Sequence, residues 1–133
     1  MDVTEIMDSI KALPMYEKKD LAYKVIREID RIEKMEGVTQ RWDTVLFTAI
    51  RVTGLPYITG SRDAQTVLVR EIAAWRMMDE GYSISDIGRA MGKDHSTVSY
   101  YARMRKDAVA IPMAFREHLT MYGKLVLALN DND

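Results

Sequence analysis

The sequence predicts an all-α protein. Two observations carry that prediction: apolar residues recur at steps of three and four along most of the chain, and the β-branched residues are scattered rather than alternating. A third sets the scale. With 133 residues, of which 47% are apolar, the chain is long enough for one compact domain and an added arm.

The elements follow in order. Val3, Ile6, Met7, Ile10 and Leu13 fall on one helical face, and Pro14 interrupts the run. A second seam, Leu21, Val25, Ile29, Ile32 and Met35 or Glu36, ends at Gly37, which suits a helix C-cap. Its other faces are charged, and it serves either the chain's own core or pairing with another helix. Trp42, Val45, Leu46, Ala49 and Ile50 predict a third helix, stopped by Gly54-Leu55-Pro56 because proline disfavours helix in its predecessor. After a loop over 57–60, Val67, Leu68, Ile72, Trp75 and Met78 or Asp79 predict a helix from about Ala64 to Met78, closed at Glu80-Gly81. The last helix spans about 112–129 on Phe115, Leu119, Tyr122, Val126 and Leu129, with fraying expected from Asn130 to Asp133. The weak break at Gly37 divides an N-terminal helical arm, residues 1–36, from a domain over 37–133.

Composition removes several classes of function. Without cysteine there is no disulfide framework, thiol nucleophile or thiolate metal site. His95 and His118, with no clustered carboxylates, make no metal centre. Ser96 adjoins His95, but neighbouring helical residues do not face each other, so no nucleophile–base pair is expected. A non-enzymatic protein without cofactor is the expectation. No apolar stretch approaches the ~18 residues of a membrane span, and acids near the N-terminus replace the basic and apolar residues of an export signal, which predicts a cytoplasmic protein. The methionines, Trp42 and Trp75 are read as core, and at least one of Tyr100 and Tyr101 as packing.

The informative stretch runs from Tyr82 to Lys106. Ser83 suits a helix N-cap with Asp86 three residues on, while Ile84, Ile87 and Met91 point inward. Gly92 turns the chain, and Asp94 is placed to cap a second helix that Val98 and Ala102 lock onto the core. This is the pattern of a helix-turn-helix, in which the second helix presents its N-terminal residues to the major groove of duplex DNA. His95, Ser96 and Thr97 offer the hydrogen-bonding groups, and the Thr97 methyl an apolar one, that base edges require. The formal net charge is −1, yet Arg89, Lys93, Arg103, Arg105 and Lys106 face only Asp94 between positions 89 and 106, a local basic patch. The first forty residues hold nine acids against seven bases and are not expected to lie on phosphate.

The run Ile87-Gly88-Arg89-Ala90-Met91-Gly92-Lys93-Asp94-His95-Ser96-Thr97-Val98 resembles the signature of the C-terminal domain of the bacterial replication initiator DnaA, with Ser96 in place of the first threonine of an Asp-His-Thr-Thr-Val run. The resemblance extends more loosely from Trp42 through the C-terminal helix and leaves residues 1–36 outside. It implies a Trp-repressor-like helix-turn-helix in which Asp94, His95 and Ser96 face bases and Thr97 helps to hold a phosphate. That family carries a markedly basic loop before the fourth helix, with an arginine in the minor groove. The matching stretch here has only Arg62, the minor-groove candidate, and Arg70, a phosphate candidate. Met104 replaces a phosphate-binding lysine and Arg105 an apolar residue, so a changed target or weaker binding is implied. The phosphate loop Gly-x-x-x-x-Gly-Lys-Ser/Thr of a nucleotide-binding motor is missing.

Two functions follow as expectations. The first is a double-stranded DNA-binding protein that reads the major groove, in replication or mobile-element maintenance. The second is an adaptor that keeps the fold but binds a protein through residues 1–36, an arm that also suits homodimerisation.

Overall fold

The computed structural model describes residues 2–132 and, among them, helices without strands. In chain order these are α1 (Val3–Lys11), α2 (Met15–Thr53), α3 (Ala64–Asp79), α4 (Ile84–Met91), α5 (His95–Ala110), a 3-10 turn (Pro112–Phe115) and α6 (Arg116–Asn132). Contacts divide the chain between Glu36 and Gly37 into two units. The first holds α1 and the opening turns of α2. Asp2 caps α1, its carboxylate accepting from the Glu5 amide at 2.9 Å, and no described residue up to Glu36 is buried.

One element departs from the sequence pattern. Gly37 does not end a helix: α2 runs through it for 39 residues, and the helix expected from Trp42 is its continuation. A glycine inside a helix costs about 1 kcal/mol relative to alanine. Directly after it Val38, Trp42, Val45 and Ala49 are buried along the same helix, and each buried apolar side chain contributes more than that cost. A glycine C-cap takes the left-handed conformation, which Gly54 adopts (φ 63°) and Gly37 does not. The helix therefore stops at Thr53, whose hydroxyl donates to the Ala49 carbonyl at 2.7 Å.

The core of the second unit is built around α3. Leu68, Val69, Ile72, Ala73, Ala74, Trp75 and Met77 are all buried, so the helix is covered on nearly every side, as a central helix is. Around it lie Trp42, Val45 and Ala49 of α2, Ile87 of α4, Val98, Tyr101 and Ala108 of α5, and Leu125 and Leu129 of α6. Leu129, 1% exposed, secures the end of α6, which stays helical to Asn132 where fraying was expected from Asn130. Asp133, the last residue of that expected frayed end, lies outside the described residues.

An ionic cluster joins α2 to the end of α3. Arg41 donates to both oxygens of Glu80, at 2.7 and 2.8 Å, and Arg76 donates to one of them at 2.6 Å. The Arg41 hydrogen bond, against the opposing effect of burial and with help from Arg76, holds the Glu80 carboxyl below its usual range. A carboxyl depressed on folding stabilises the protein above its unfolded pKa of about 4.3, and that contribution is lost as pH falls through the folded value. Glu80→Gln should therefore lower stability at neutral pH by about 1–3 kcal/mol and flatten the loss of stability below about pH 4.3. Urea denaturation followed by circular dichroism across that range would measure both effects, and an unchanged acid limb would contradict this role for Glu80.

Candidate nucleic-acid interface

The corner between α4 and α5 is set by local rules. Ser83 caps α4, its hydroxyl accepting from the Asp86 amide at 3.1 Å. Ile87 is fully buried, with Ile84 and Met91 packed against the core beside it. Gly92 closes α4 in the left-handed region (φ 68°), where an L side chain is strained, and the Lys93 amide returns to the Gly88 carbonyl at 2.9 Å. That reverse bond is the six-to-one closure of a Schellman motif.

Gly88 is the residue whose role the sequence pattern did not single out. A Cβ there would lie 3.1 Å from the Lys93 carbonyl oxygen and 3.6 Å from a Val98 methyl, so the missing side chain lets α4 sit against the turn and the start of α5. Closeness of this kind is invisible in spacing, because it depends on where α5 lies.

Asp94 takes the N-cap position of α5 with extended backbone, and its carbonyl accepts from the Thr97 and Val98 amides at 3.1 and 3.3 Å. Its carboxylate, expected to cap, makes no cap hydrogen bond. Asp94 is exposed, and an exposed carboxylate has solvent as an alternative partner, so nothing compels the bond. Asp94, His95 and Ser96 are exposed and Thr97 is half-buried at the edge. His95 Nδ1 lies 3.3 Å from the Ser99 hydroxyl one turn further on, which leaves Nε2 for an outside partner. His95, Ser99, Arg103 and Lys106 follow one another at steps of four, four and three on the side of α5 opposite its buried Val98 and Tyr101.

The cations divide into two groups. Arg89 and Lys93 are exposed and line, with Ser85, Gly88, Gly92, Asp94 and His95, an open hollow of about 360 Å³ at the N-terminus of α5. Arg103 and Lys106 are exposed along the helix, Arg103 with its guanidinium 5.9 Å from the centre of the exposed Tyr100 ring. Arg105 and Arg70, expected on phosphate, are placed otherwise. Arg105 emerges toward the buried side of α5 and bonds the Asp79 carboxylate, which also accepts from the Tyr122 hydroxyl. Arg70 is only 6% exposed and donates to the Ser61 carbonyl, so it braces the loop before α3 rather than facing solvent. Both placements have one cause: a cation in a helical pattern carries no sign of the tertiary neighbour that holds it.

Arg62 is exposed beside that loop. Its neighbour Asp63 caps α3, accepting from the Thr66 amide at 3.0 Å; the Ser61 hydroxyl first and that amide second bring its carboxyl down to about 2. The remaining candidates also separate. Tyr101 is buried where Tyr100 is not. His118 lies far from His95 in role, stacked on Trp75 with ring centres 5.6 Å apart and its Nε2 3.5 Å from a Glu71 carboxylate oxygen.

Among known families, the description that fits this corner is a helix-turn-helix domain, matched over residues 68–101. The chain carries a helix-turn-helix. The match begins in α3 at Leu68 and ends in α5 at Tyr101, so it takes in the supporting core helix, the corner and the exposed start of α5. No curated protein and no solved structure matches the chain. Among the described residues no helix is long and apolar enough to cross a membrane.

The close approach at Gly88 makes the helix-turn-helix angle testable. Gly88→Ala should force the Lys93 carbonyl to give way, cost about 1–3 kcal/mol as overpacking does, and shift the amide resonances of residues 93–98 more than those of α6. Equal stability with unmoved resonances would show that the corner has slack.

Proposed function

We propose that the protein is a non-enzymatic, cytoplasmic duplex DNA-binding protein that inserts α5 into the major groove. The observation that carries this reading is the exposed start of α5: Asp94, His95 and Ser96 project beside Arg89, Lys93, Arg103 and Lys106, polar groups next to cations with no fold-stabilising task that requires them there. A recognition helix needs this division, since phosphate contacts position the protein and base-edge contacts specify the sequence. Asp94 accepts from cytosine, His95 and Ser96 donate or accept, and Thr97 lies at the edge between base and backbone. The likeness of residues 87–98 to the DnaA C-terminal signature supports a sequence-specific reader in replication or in mobile-element maintenance. Arg62 is the one cation of the preceding loop placed for the minor groove, so the recognition helix bears most of the selectivity.

With four exposed cations on phosphate, the logarithm of affinity should fall against the logarithm of salt with a slope of about −3 to −4. Arg103→Ala and Lys106→Ala should each reduce that slope by about 1, whereas Arg105→Ala should leave it unchanged and lower stability instead. His95→Ala with Ser96→Ala should cost about 1–3 kcal/mol per lost base contact on the selected site while nonspecific binding stays near its original value. Selection from a random duplex pool followed by salt titration reads all of these. Absence of salt-sensitive binding to any duplex would overturn the proposal.

A further inference from the structure

The first unit has an unusual surface. Ten of the seventeen exposed large apolar side chains among the described residues belong to residues 3–32, yet no described residue before Val38 is buried. Helix α1 has nine residues, fewer than the ~12–15 at which an isolated helix becomes even marginal. Its Ile10 and the Lys18, Leu21, Ala22, Val25 and Ile26 side chains of α2 border an apolar hollow of about 280 Å³. Packing by α1 reaches only one flank of α2: Glu17, Lys18 and Leu21 are partly covered, while Ala22 is exposed and Val25, Ile26, Ile29 and Ile32 are 47–58% exposed. A face of this kind marks an interaction site.

The pattern on that face specifies its cover. Ala22, Val25, Ile29 and Ile32 are separated by three, four and three residues, an order that reads the same from either end. Such a seam is complementary to an antiparallel copy of itself. With a two-fold axis at the level of Arg27, Ala22 lies opposite the second copy's Ile32, and Val25 opposite its Ile29. The same axis sets Lys18 against the second copy's Glu36 and, along the flank, Lys19 against its Glu33, with Ile26 beside its own mate. Glu28, the acid nearest the axis, is already neutralised by Arg31 of its own helix at 2.5 Å. Parallel pairing in register would instead stack Lys18 on Lys18 and Glu36 on Glu36, each a repulsive contact.

We infer that residues 15–36 form the interface of an antiparallel homodimer, with Val25 and Ile29 in its central layers and Lys18–Glu36 and Lys19–Glu33 pairs at its ends.

Sedimentation of the full chain without DNA, over a wide range of concentration, should show a monomer–dimer equilibrium. Val25→Glu or Ile29→Glu, which place a charge in the seam, should raise the dissociation constant on the order of 100-fold. Because the chain has no cysteine, orientation is read cleanly by a short thiol cross-linker. A mixture of Lys19→Cys and Glu33→Cys chains should give the mixed product, and Lys19→Cys alone should give none. These exposed substitutions leave the seam intact, so the orientation test stands even where a seam variant fails to fold. A monomer at all concentrations, an unaffected dimer in the glutamate variants, or cross-linking of Lys19→Cys to itself would each overturn the inference. The assay contains no DNA, so its failure would leave the DNA-binding reading untouched.

Discussion

Helix α3 has almost no solvent face, and the placement of the helix-turn-helix depends on that. Seven of its apolar side chains are buried, and the largest, Trp75, also spends its one hydrogen-bond donor on the Tyr101 carbonyl at 2.9 Å. That bond ties the middle of α5 to the C-terminal half of α3, with Val98 and Ala108 of α5 buried on either side of Tyr101. Truncating a buried tryptophan typically costs about 3–5 kcal/mol, a large part of the ~5–15 kcal/mol by which a domain is stable at all. The exposed face of α5 is thus held from behind, which suits the proposed base recognition, since polar contacts that must find their geometry on binding lose affinity to ordering.

The same tie explains how the cations divide. Once Tyr101 and Val98 face α3, the helical period sends Arg105 toward the Asp79 and Tyr122 side and leaves Arg103 and Lys106 outward. Arg105 therefore has a partner within the fold, in Asp79, while its side chain keeps 41% of its surface exposed, and among the described residues Arg103 and Lys106 are the cations of α5 without such a tertiary bond. Arg70 follows the same logic within α3, where a helix surrounded on all sides leaves its arginine a backbone carbonyl of the adjoining loop. A count of positive residues along the chain overstates the electrostatic footprint, because the fold buries Arg70 and pairs Arg105 with an acid.

Much of this was legible in the sequence. The helix class, the stops at Pro14 and Gly54, the Ser83 cap and the turn at Gly92 rest on local chemistry: missing amide donors, left-handed glycines, and hydroxyls that accept from free amides. What was not legible is tertiary. Gly37 looked like a C-cap because the burial of Val38 and Trp42, which carries α2 through it, is not a local property. Gly88 carried no local mark of its role, because the carbonyl it must admit arrives from the next turn. Arg70 and Arg105 looked free because their acceptors, Ser61 and Asp79, lie 9 and 26 residues away in sequence. Asp94 erred in the opposite direction, since a carboxylate with every local reason to cap stays uncommitted where solvent serves it equally well.

Charge connects the two units functionally. A net charge of −1 provides little overall attraction to a polyanion, and screening at physiological salt confines the four cations exposed at the helix-turn-helix to contacts within about 8 Å. Under the proposed function, one helix-turn-helix with four phosphate contacts gives weak binding at that salt. In the proposed dimer, pairing two chains through the arm doubles the phosphate contacts and makes the second engagement intramolecular, which raises affinity. Two-fold pairing also imposes symmetry on what is read, because two identical readers related by an axis match an inverted repeat and its half-site spacing rather than a single site. Under that arrangement the acidic arm need not touch DNA at all: its charges serve to set the register of the pair, and the basic side of α5 is left to meet phosphate alone.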